Sequence, residues 1–223
     1  MERQFSDRHE AGHALGEIVR HHLERARRHP RPLVLALPRG GVPVASAVAR
    51  AVDGDLDVIV ARKLGVPWQP ELAVGAVAEH GPPIVNRALL ARLGLDERDL
   101  ATVVARERAE VARRLRRYRG DRPAPEMSGR TVVIVDDGLA TGATARAALA
   151  AARARNPAYL MFAAPVCAAQ STVGLRPYAD AVACALAPMD LYAVGQWYVD
   201  FTQLSDEEVV RLLAEARAAA TTR

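Results

Sequence analysis

The sequence predicts an α/β fold: a parallel sheet flanked by helices, with a small hood from the terminal segments and an inserted charged helix. Short apolar runs alternate along the chain with longer helical patterns, as in successive β-α-β units. The clearest run, 132–135 (Val-Val-Ile-Val), has the β-branched composition of a strand that is buried on both faces. With 223 residues and 50% hydrophobic content, the chain can form one good core. We therefore predict a single domain over 1–223 with its core at about 30–190.

The amino-terminal half begins with a polar helix and continues as alternating strands and helices. The first strand leads into Pro38-Arg39-Gly40-Gly41 and the second into Arg62-Lys63. Segment 64–72 is predicted to be a loop because it contains Pro67, Trp68 and Pro70. The predicted elements are a helix at 7–28, a strand at 33–37, a helix at 44–52, a strand at 56–61 and two short strands at 74–78 and 83–86.

The carboxyl-terminal half contains the inserted charged helix, then three strands and one helix, and finally a closing helix. Residues 120–129 form a linker rich in proline and glycine. The closing helix begins with Ser205-Asp-Glu-Glu, which has the spacing of a capping box. The predicted elements are a helix at 96–119, a strand at 132–135, a helix at 145–155, strands at 159–166 and 179–185, and a helix at 205–220.

The turn between the strand at 132–135 and the helix after it combines an anion site with an acidic pair. Backbone N–H groups at a helix start, together with threonine hydroxyls, favour a phosphate. Two adjacent carboxylates would repel that phosphate, but they suit hydroxyl groups and a hydrated divalent cation nearby. A ligand with both features is a ribose 5-phosphate, whereas the alternative is an acidic turn that caps an ordinary helix. The turn consists of Asp136, Asp137, Gly138, Leu139, Ala140, Thr141, Gly142, Ala143 and Thr144.

Residues 132–144 resemble the phosphoribosyl-pyrophosphate (PRPP) loop of type I phosphoribosyltransferases. The resemblance implies that Asp136 and Asp137 hold the ribose 2- and 3-hydroxyls and that the turn from Thr141 to Thr144 holds the 5-phosphate. Gly138 departs mildly from the pattern, because the family usually has an aliphatic residue there. The resemblance further implies that 38–41 is the pyrophosphate loop, with a cis Pro38–Arg39 peptide, and that the loop after the second strand is a mobile flap.

The cations that follow the first two strands are the candidates for binding pyrophosphate. In open α/β sheets the carboxyl ends of the strands meet at the ligand site, so these residues are expected to lie near the acidic pair. Lys63 is the only lysine among 30 basic residues, which indicates a place where guanidinium cannot replace ammonium. We assign catalytic roles to Lys63, Arg39 and Asp137. The predicted pyrophosphate-binding residues are Arg39, Gly40, Gly41, Arg62 and Lys63.

The resemblance implies a phosphoribosyltransferase of nucleotide metabolism that uses PRPP with Mg²⁺ as cofactor and a nitrogen base or similar small molecule as acceptor. Mg²⁺ is expected to bind through PRPP and water near Asp136 and Asp137, without direct protein ligands. Ala140 stands where the 6-oxopurine enzymes have a third acid, so the acceptor is left open. The alternative is a PRPP-sensing regulator without turnover, which could also bind nucleic acid.

Two further patterns have weaker functional interpretations. His9-Glu10-Ala11-Gly12-His13 matches the H-E-x-x-H pattern of zinc peptidases, but a solvated helix explains the same residues. The stretch 105–122 carries eight arginines, which fit either a nucleic-acid surface or a solvated helix. A net charge of only +4 favours the solvated helix and makes nucleic acid an unlikely partner.

The remaining features concern compartment and assembly. The amino terminus does not have the composition of a signal peptide, and no apolar run is long enough to cross a bilayer. Cys167 and Cys184 lie in apolar stretches without metal spacing, which predicts reduced core residues. We therefore expect a cytoplasmic protein without membrane contact, and the sequence is compatible with a homo-oligomer.

Overall fold

The computed structural model describes residues 4–28, 31–66 and 68–221, which form a five-stranded parallel sheet and a smaller antiparallel sheet. In the parallel sheet the strand order is β2-β1-β6-β7-β8. Its strands are β1 (Leu33–Ala36), β2 (Asp55–Val58), β6 (Thr131–Val135), β7 (Tyr159–Val166) and β8 (Ala181–Leu186). The antiparallel sheet contains β3 (Ala61–Val66), β4 (Gln69–Ala78) and β5 (Ile84–Val85).

Helices pack on both faces of the parallel sheet, because alternate strand residues face opposite cores. Val34 and Ala36 of β1 pack with α1, α2 and α7, whereas Leu33 and Leu35 face the side that α5 covers. The fold class predicted from the sequence is thus confirmed. The helices are α1 (Arg8–Arg25), α2 (Gly41–Ala51), α3 (Arg87–Arg92), α4 (Ala101–Arg119), α5 (Ala143–Arg153), α6 (Ala169–Leu175) and α7 (Asp206–Thr221).

The strand order places a topological switch point between β1 and β6. These two strands pair in parallel, from Leu33 opposite Val132 to Ala36 opposite Val135. The chain continues from β1 outward to β2, and from β6 outward to β7 and β8 on the other side. A crevice opens at the carboxyl ends of two such strands because their following connections diverge.

The hood is formed by the amino terminus and the segment that follows β8. Phe5, Trp197 and Tyr198 are buried together in a small apolar cluster, and Phe201 packs against it. Backbone hydrogen bonds join the two segments, since the N–H of Phe5 donates to the carbonyl of Trp197 at 2.9 Å. The hood therefore connects parts of the chain that are nearly two hundred residues apart.

The prediction of a loop at 64–72 was wrong, because β3 and β4 form an antiparallel hairpin there. Pro70 is accommodated where the register shifts around Gly65, and Trp68 is exposed between the strands, while Pro67 lies outside the described residues. The hairpin also corrects the second strand, which ends at Val58 rather than Ala61. Arg62 and Lys63 thus belong to β3 rather than to an exit from the parallel sheet.

The predicted long helix at 96–119 is shorter than expected, and α6 was missed. The chain turns at 93–100, where Asp96 Oδ1 accepts from the N–H of Arg98 at 2.7 Å, before α4 begins at Ala101. α6 has seven residues and only Leu175 buried, so it lacks the apolar periodicity by which longer helices are predicted.

The predicted reduced state of the cysteines was also wrong, because Cys167 and Cys184 form a disulfide. The sequence places them 17 residues apart, but Cys167 directly follows β7 and Cys184 lies in the neighbouring strand β8. This pairing brings their Cα atoms to 6.1 Å, within the range that a disulfide requires.

None of the helices in the described parts of the chain has the length and apolar character needed to cross a membrane.

The arginine-rich helix α4 is only partly solvated. Arg113 is half exposed, as predicted, but Arg119 is buried and paired with Glu79 at 2.6 Å and Asp57 at 3.4 Å. Its Nη2 also donates to the carbonyl of Val58 at 2.9 Å. Arg119 therefore joins α4 to the end of β2 and to β4.

Replacing Arg119 by leucine is expected to lower the free energy of unfolding by about 3 kcal/mol, because Glu79 and Asp57 would lose their buried cation. Urea unfolding would measure this change. Arg113→Leu, on the same helix but half exposed, is the matched control and should stay within about 0.5 kcal/mol of the wild type. Equal effects of the two substitutions would contradict this prediction.

Candidate functional site

A cleft of about 530 Å³ lies at the carboxyl ends of β1 and β6, at the switch point. The loops after both strands, the β3–β4 hairpin, α4 and the first turn of α5 all contribute to its lining. Seven of the fourteen site residues that the sequence analysis selected are thus brought together in this cleft. Those in the lining are Arg39, Gly40, Arg62, Lys63, Asp136, Asp137 and Thr144.

The loop after β1 passes close to the acidic pair. Its Pro38–Arg39 peptide is cis, as predicted from the resemblance. A Cβ atom added to Gly40 would lie 1.8 Å from Oδ2 of Asp137, so the backbone there approaches the carboxylate more closely than any side chain allows. Gly41, the other glycine of the pair, is buried at the start of α2 and does not line the cleft.

Arg39 extends from this loop towards α4 and α7. Its Nη1 lies 3.9 Å from Oδ1 of Asp206, the first residue of α7. The same oxygen accepts a hydrogen bond of 2.6 Å from the hydroxyl of Tyr118. Burial raises the pKa of Tyr118, and the hydrogen bond to Asp206 adds to the rise, so its hydroxyl stays protonated and donates. α4 and α7 thus both help to position the guanidinium of Arg39.

The two carboxylates at the end of β6 have different surroundings. Burial raises the pKa of Asp136 well above its usual range, and the negative charge of Asp137 raises it further. Burial also raises the pKa of Asp137, but the guanidinium of Arg8 opposes that rise. Nε of Arg8 lies 2.9 Å from Oδ2 of Asp137, and the hydroxyl of Tyr198 donates to the Asp137 carbonyl oxygen at 2.6 Å. Asp137 is therefore the better stabilised anion of the pair.

The turn 138–144 is anchored to the sheet on one side and to the hood on the other. Leu139 is buried, and its backbone pairs with Cys167 beyond the end of β7. A Cβ atom on Gly138 would lie 2.2 Å from Cγ1 of Val194, so glycine is needed where the family usually has an aliphatic residue. Thr144, near the start of α5, faces the cleft, whereas Ala143 lines a separate cavity. Ala140 and Thr141 are exposed, and Gly142 is buried with a φ of +74°.

The opposite wall of the cleft carries most of its positive charge. Arg62 donates from Nε to Oε2 of Glu107 at 2.9 Å, and Arg106 pairs with the other oxygen of the same carboxylate. Glu107 is only 6% exposed, so this ion pair fixes α4 against the hairpin. Lys63, adjacent in β3, is exposed in the cleft.

Several residues at the site have no signal in the sequence. Arg8 and Val194 reach the site through the hood, and Asp206 reaches it from α7. Each of the three is far in sequence from the residue that it contacts, and none belongs to a motif that indicates ligand binding. Only the arginine content of α4 pointed to a functional role for that helix.

The H-E-x-x-H pattern has a structural explanation. Ala11 and Gly12 are buried, while Glu10 accepts from the N–H of Ser6 at 2.5 Å at the start of α1. Within the described residues, no group of three or more His, Cys, Asp and Glu side chains is placed to hold a metal ion.

Comparison with known proteins identifies the family. The model of the phosphoribosyl transferase domain matches residues 5–190. The chain belongs to the phosphoribosyltransferase family. Two curated proteins from Mycobacterium tuberculosis, strains CDC 1551/Oshkosh and H37Rv, are 43% identical over 212 residues, and each is named "Putative phosphoribosyl transferase". This match covers 95% of the chain and 47% of each relative, so the chain spans about half the length of the curated relatives it matches.

Solved structures have the same fold as this chain. The crystal structure of TT1426 from Thermus thermophilus is similar with a TM-score of 0.79 and 40% sequence identity, over 95% of the chain and 98% of that protein. A hypothetical protein from Neisseria gonorrhoeae, solved with bound ppGpp, has a TM-score of 0.54 at 14% identity over 97% of the chain and 99% of that protein. At that identity the second likeness concerns the fold alone.

Proposed function

We propose that this protein transfers 5-phosphoribose from PRPP to a small-molecule acceptor and releases pyrophosphate. The observation that carries the proposal is the cleft at the switch point, where an acidic pair and a wall of cations face the same space. A sugar diol and a polyphosphate need these two kinds of group side by side. Membership of the phosphoribosyltransferase family supports the same assignment.

In this proposal the predicted residues that line the cleft keep the roles assigned to them from the sequence. Asp136 and Asp137 accept hydrogen bonds from the ribose hydroxyls, and the turn 138–144 with Thr144 binds the 5-phosphate at the start of α5. Arg39, the backbone at Gly40, Arg62 and Lys63 bind the pyrophosphate, whereas the N–H of Gly41 donates to the carbonyl of Leu37 at 3.0 Å and is left out of this set. The two carboxylates are also suitable neighbours for Mg²⁺, which when bound with PRPP would neutralise charge on the pyrophosphate.

The chemistry of the transfer requires positioning and charge stabilisation. The bond from the anomeric carbon to the pyrophosphate oxygen breaks, the acceptor forms its bond to the same carbon, and the pyrophosphate leaves with the electron pair. The sugar gains oxocarbenium character as this occurs. Lys63 and Arg39 stabilise the negative charge of the departing pyrophosphate. Asp137 holds the sugar in place by accepting hydrogen bonds from the ribose hydroxyls.

The acceptor is proposed only as a class, a nitrogen base or a similar nucleophile. Ala140 is exposed in the turn and offers no carboxylate to polarise a 6-oxopurine, which argues against hypoxanthine and guanine. The second candidate is a PRPP sensor that binds without turnover. We further propose one domain over 1–223, with α4 serving the cleft and the core rather than a nucleic acid.

Pyrophosphate release from PRPP and Mg²⁺, measured with a panel of purine, pyrimidine and other nitrogen acceptors, tests this proposal. Acceptor-dependent release identifies a transferase. Calorimetric binding of PRPP without release for any acceptor would identify the sensor instead. Absence of PRPP binding would overturn both assignments.

Replacing Lys63 by arginine is expected to lower turnover about 10- to 100-fold although the charge is kept. The planar guanidinium cannot take the place of a compact ammonium beside a departing pyrophosphate. Steady-state pyrophosphate release would measure the loss, and PRPP affinity should change by less than about threefold. Arg113→Lys, a charge-conserving change at a half-exposed site outside the cleft lining, is the control. Wild-type turnover of the Lys63 variant would remove this residue from the mechanism.

A further inference from the structure

We propose that Arg8 is a positioning residue for the sugar: it fixes the carboxylate of Asp137 so that one oxygen faces the ribose hydroxyls. This inference rests on the proposed function, because it assigns Asp137 to the PRPP ribose. Arg8 is the first residue of α1 and lies 129 positions from Asp137 in the sequence. The motif that identifies the cleft does not include it.

The guanidinium of Arg8 is itself held on several sides. Nη1 donates to the carbonyl oxygen of Thr202 at 2.9 Å, and the guanidinium carbon lies 3.9 Å from the ring centroid of Phe201. Nε donates to Oδ2 of Asp137 at 2.9 Å. The side chain of Arg8 is 10% exposed and that of Asp137 16% exposed, so water competes little for this contact. The position of Arg8 is therefore set by the hood, and Arg8 in turn sets the position of the carboxylate.

The geometry of Asp137 distinguishes its two oxygens. Oδ2 meets Nε of Arg8 on one side and the backbone at Gly40 on the other, where an added Cβ would be 1.8 Å away. These contacts hold Oδ2 within the protein, so in this proposal Oδ1 is the oxygen that accepts hydrogen bonds from the sugar hydroxyls. A carboxylate held in one rotamer loses little entropy when a ligand binds, which favours affinity.

The hydrogen bond from Tyr198 to the Asp137 carbonyl oxygen completes the arrangement. Tyr198, Phe201 and Thr202 all belong to the hood segment after β8, so both the side chain and the backbone of Asp137 depend on the hood. A purely structural role for Arg8 would need only the contacts to Thr202 and Phe201. The contact to Asp137 predicts, in addition, that Arg8 and Asp137 act on the sugar as one unit.

A double-mutant cycle tests this inference, with Arg8→Gln and Asp137→Asn made singly and together. The readout is the dissociation constant of PRPP in the presence of Mg²⁺, measured by calorimetry on the full chain. Arg8→Gln should weaken binding about 10-fold in the wild-type background and less than about twofold when Asp137 is already asparagine. An equal loss in both backgrounds would overturn the inference.

Arg20→Gln is the matched control, because Arg20 lies on the same helix but pairs with Glu17 and Glu24 on the exposed surface. It should bind PRPP as the wild type does. Arg8→Lys is the second variant if Arg8→Gln does not fold. One ammonium cannot reproduce the fixed fork of a guanidinium, so PRPP affinity should fall at least about fivefold, and wild-type affinity would overturn the inference.

PRPP binding by the wild-type protein distinguishes a failure of the proposed function from a failure of the role assigned to Arg8. Failure of the wild type to bind PRPP would overturn the proposed function and this inference together. Binding by the wild type with additive effects of the two substitutions would overturn the role of Arg8 alone.

Discussion

Neutralising both acids, by Asp136→Asn together with Asp137→Asn, is expected to weaken Mg²⁺-dependent PRPP binding by at least about 1,000-fold, or about 4 kcal/mol. Asparagine keeps the shape of each side chain but removes the charge that favours a sugar diol carrying Mg²⁺. It also introduces an amide donor opposite the hydroxyl hydrogens. Ribose 5-phosphate, which lacks the pyrophosphate, should lose less affinity, because the turn 138–144 is unchanged.

Calorimetry with PRPP and Mg²⁺ would measure this loss, with a thermal melt to verify folding. The control is Glu17→Gln with Glu24→Gln, which neutralises two exposed acids of α1 away from the cleft. That variant should bind PRPP normally. Undiminished PRPP affinity in the Asp136 and Asp137 variant would refute the assignment of the acidic pair.

The parts of the site that the sequence predicted are local ones. A buried strand, a polar turn and a helix start within one stretch fix their own geometry, so the turn from Asp136 to Thr144 was predictable. The carboxyl ends of parallel strands converge, so the cleft could also be expected to include Arg39. The family resemblance, rather than the composition, supplied the cis Pro38–Arg39 peptide.

The parts that were missed depend on contacts between distant segments. Arg8 contacts Asp137 only because the hood brings the amino terminus to segment 198–202, and no local pattern encodes that approach. The disulfide requires knowledge that β7 and β8 are neighbours. Segment 64–72 was read as a loop because it contains Pro67 and Pro70, although the register shifts around Gly65 accommodate Pro70 in the β3–β4 hairpin. Sequence distance, rather than weak propensity, limited the prediction in the first two cases.

Gly40→Ala is expected to weaken PRPP binding by at least about 100-fold, because the added methyl group would collide with the carboxylate of Asp137. Gly40 has a φ of −58° and a ψ of −35°, which alanine adopts without strain, so the backbone conformation is not the obstacle. The obstacle is Asp137, whose Oδ2 would lie 1.8 Å from the new methyl group. Since Arg8 holds that oxygen at 2.9 Å, the carboxylate can move only by giving up this ion pair, or the loop after β1 must move instead.

Either displacement separates the groups that the cleft brings together, and we expect it to lower the free energy of unfolding by about 1–3 kcal/mol. Gly174→Ala in α6 is the matched control, because its added Cβ has only Arg146 nearby, at 4.0 Å, and should leave PRPP binding unchanged. The mechanism also predicts a rescue of stability. When Asp137 is replaced by alanine the carboxylate is gone, so adding Gly40→Ala should then lower the free energy of unfolding by less than about 0.5 kcal/mol. A decrease of about 1–3 kcal/mol in the free energy of unfolding in that background would show that the methyl group collides with something other than the Asp137 carboxylate.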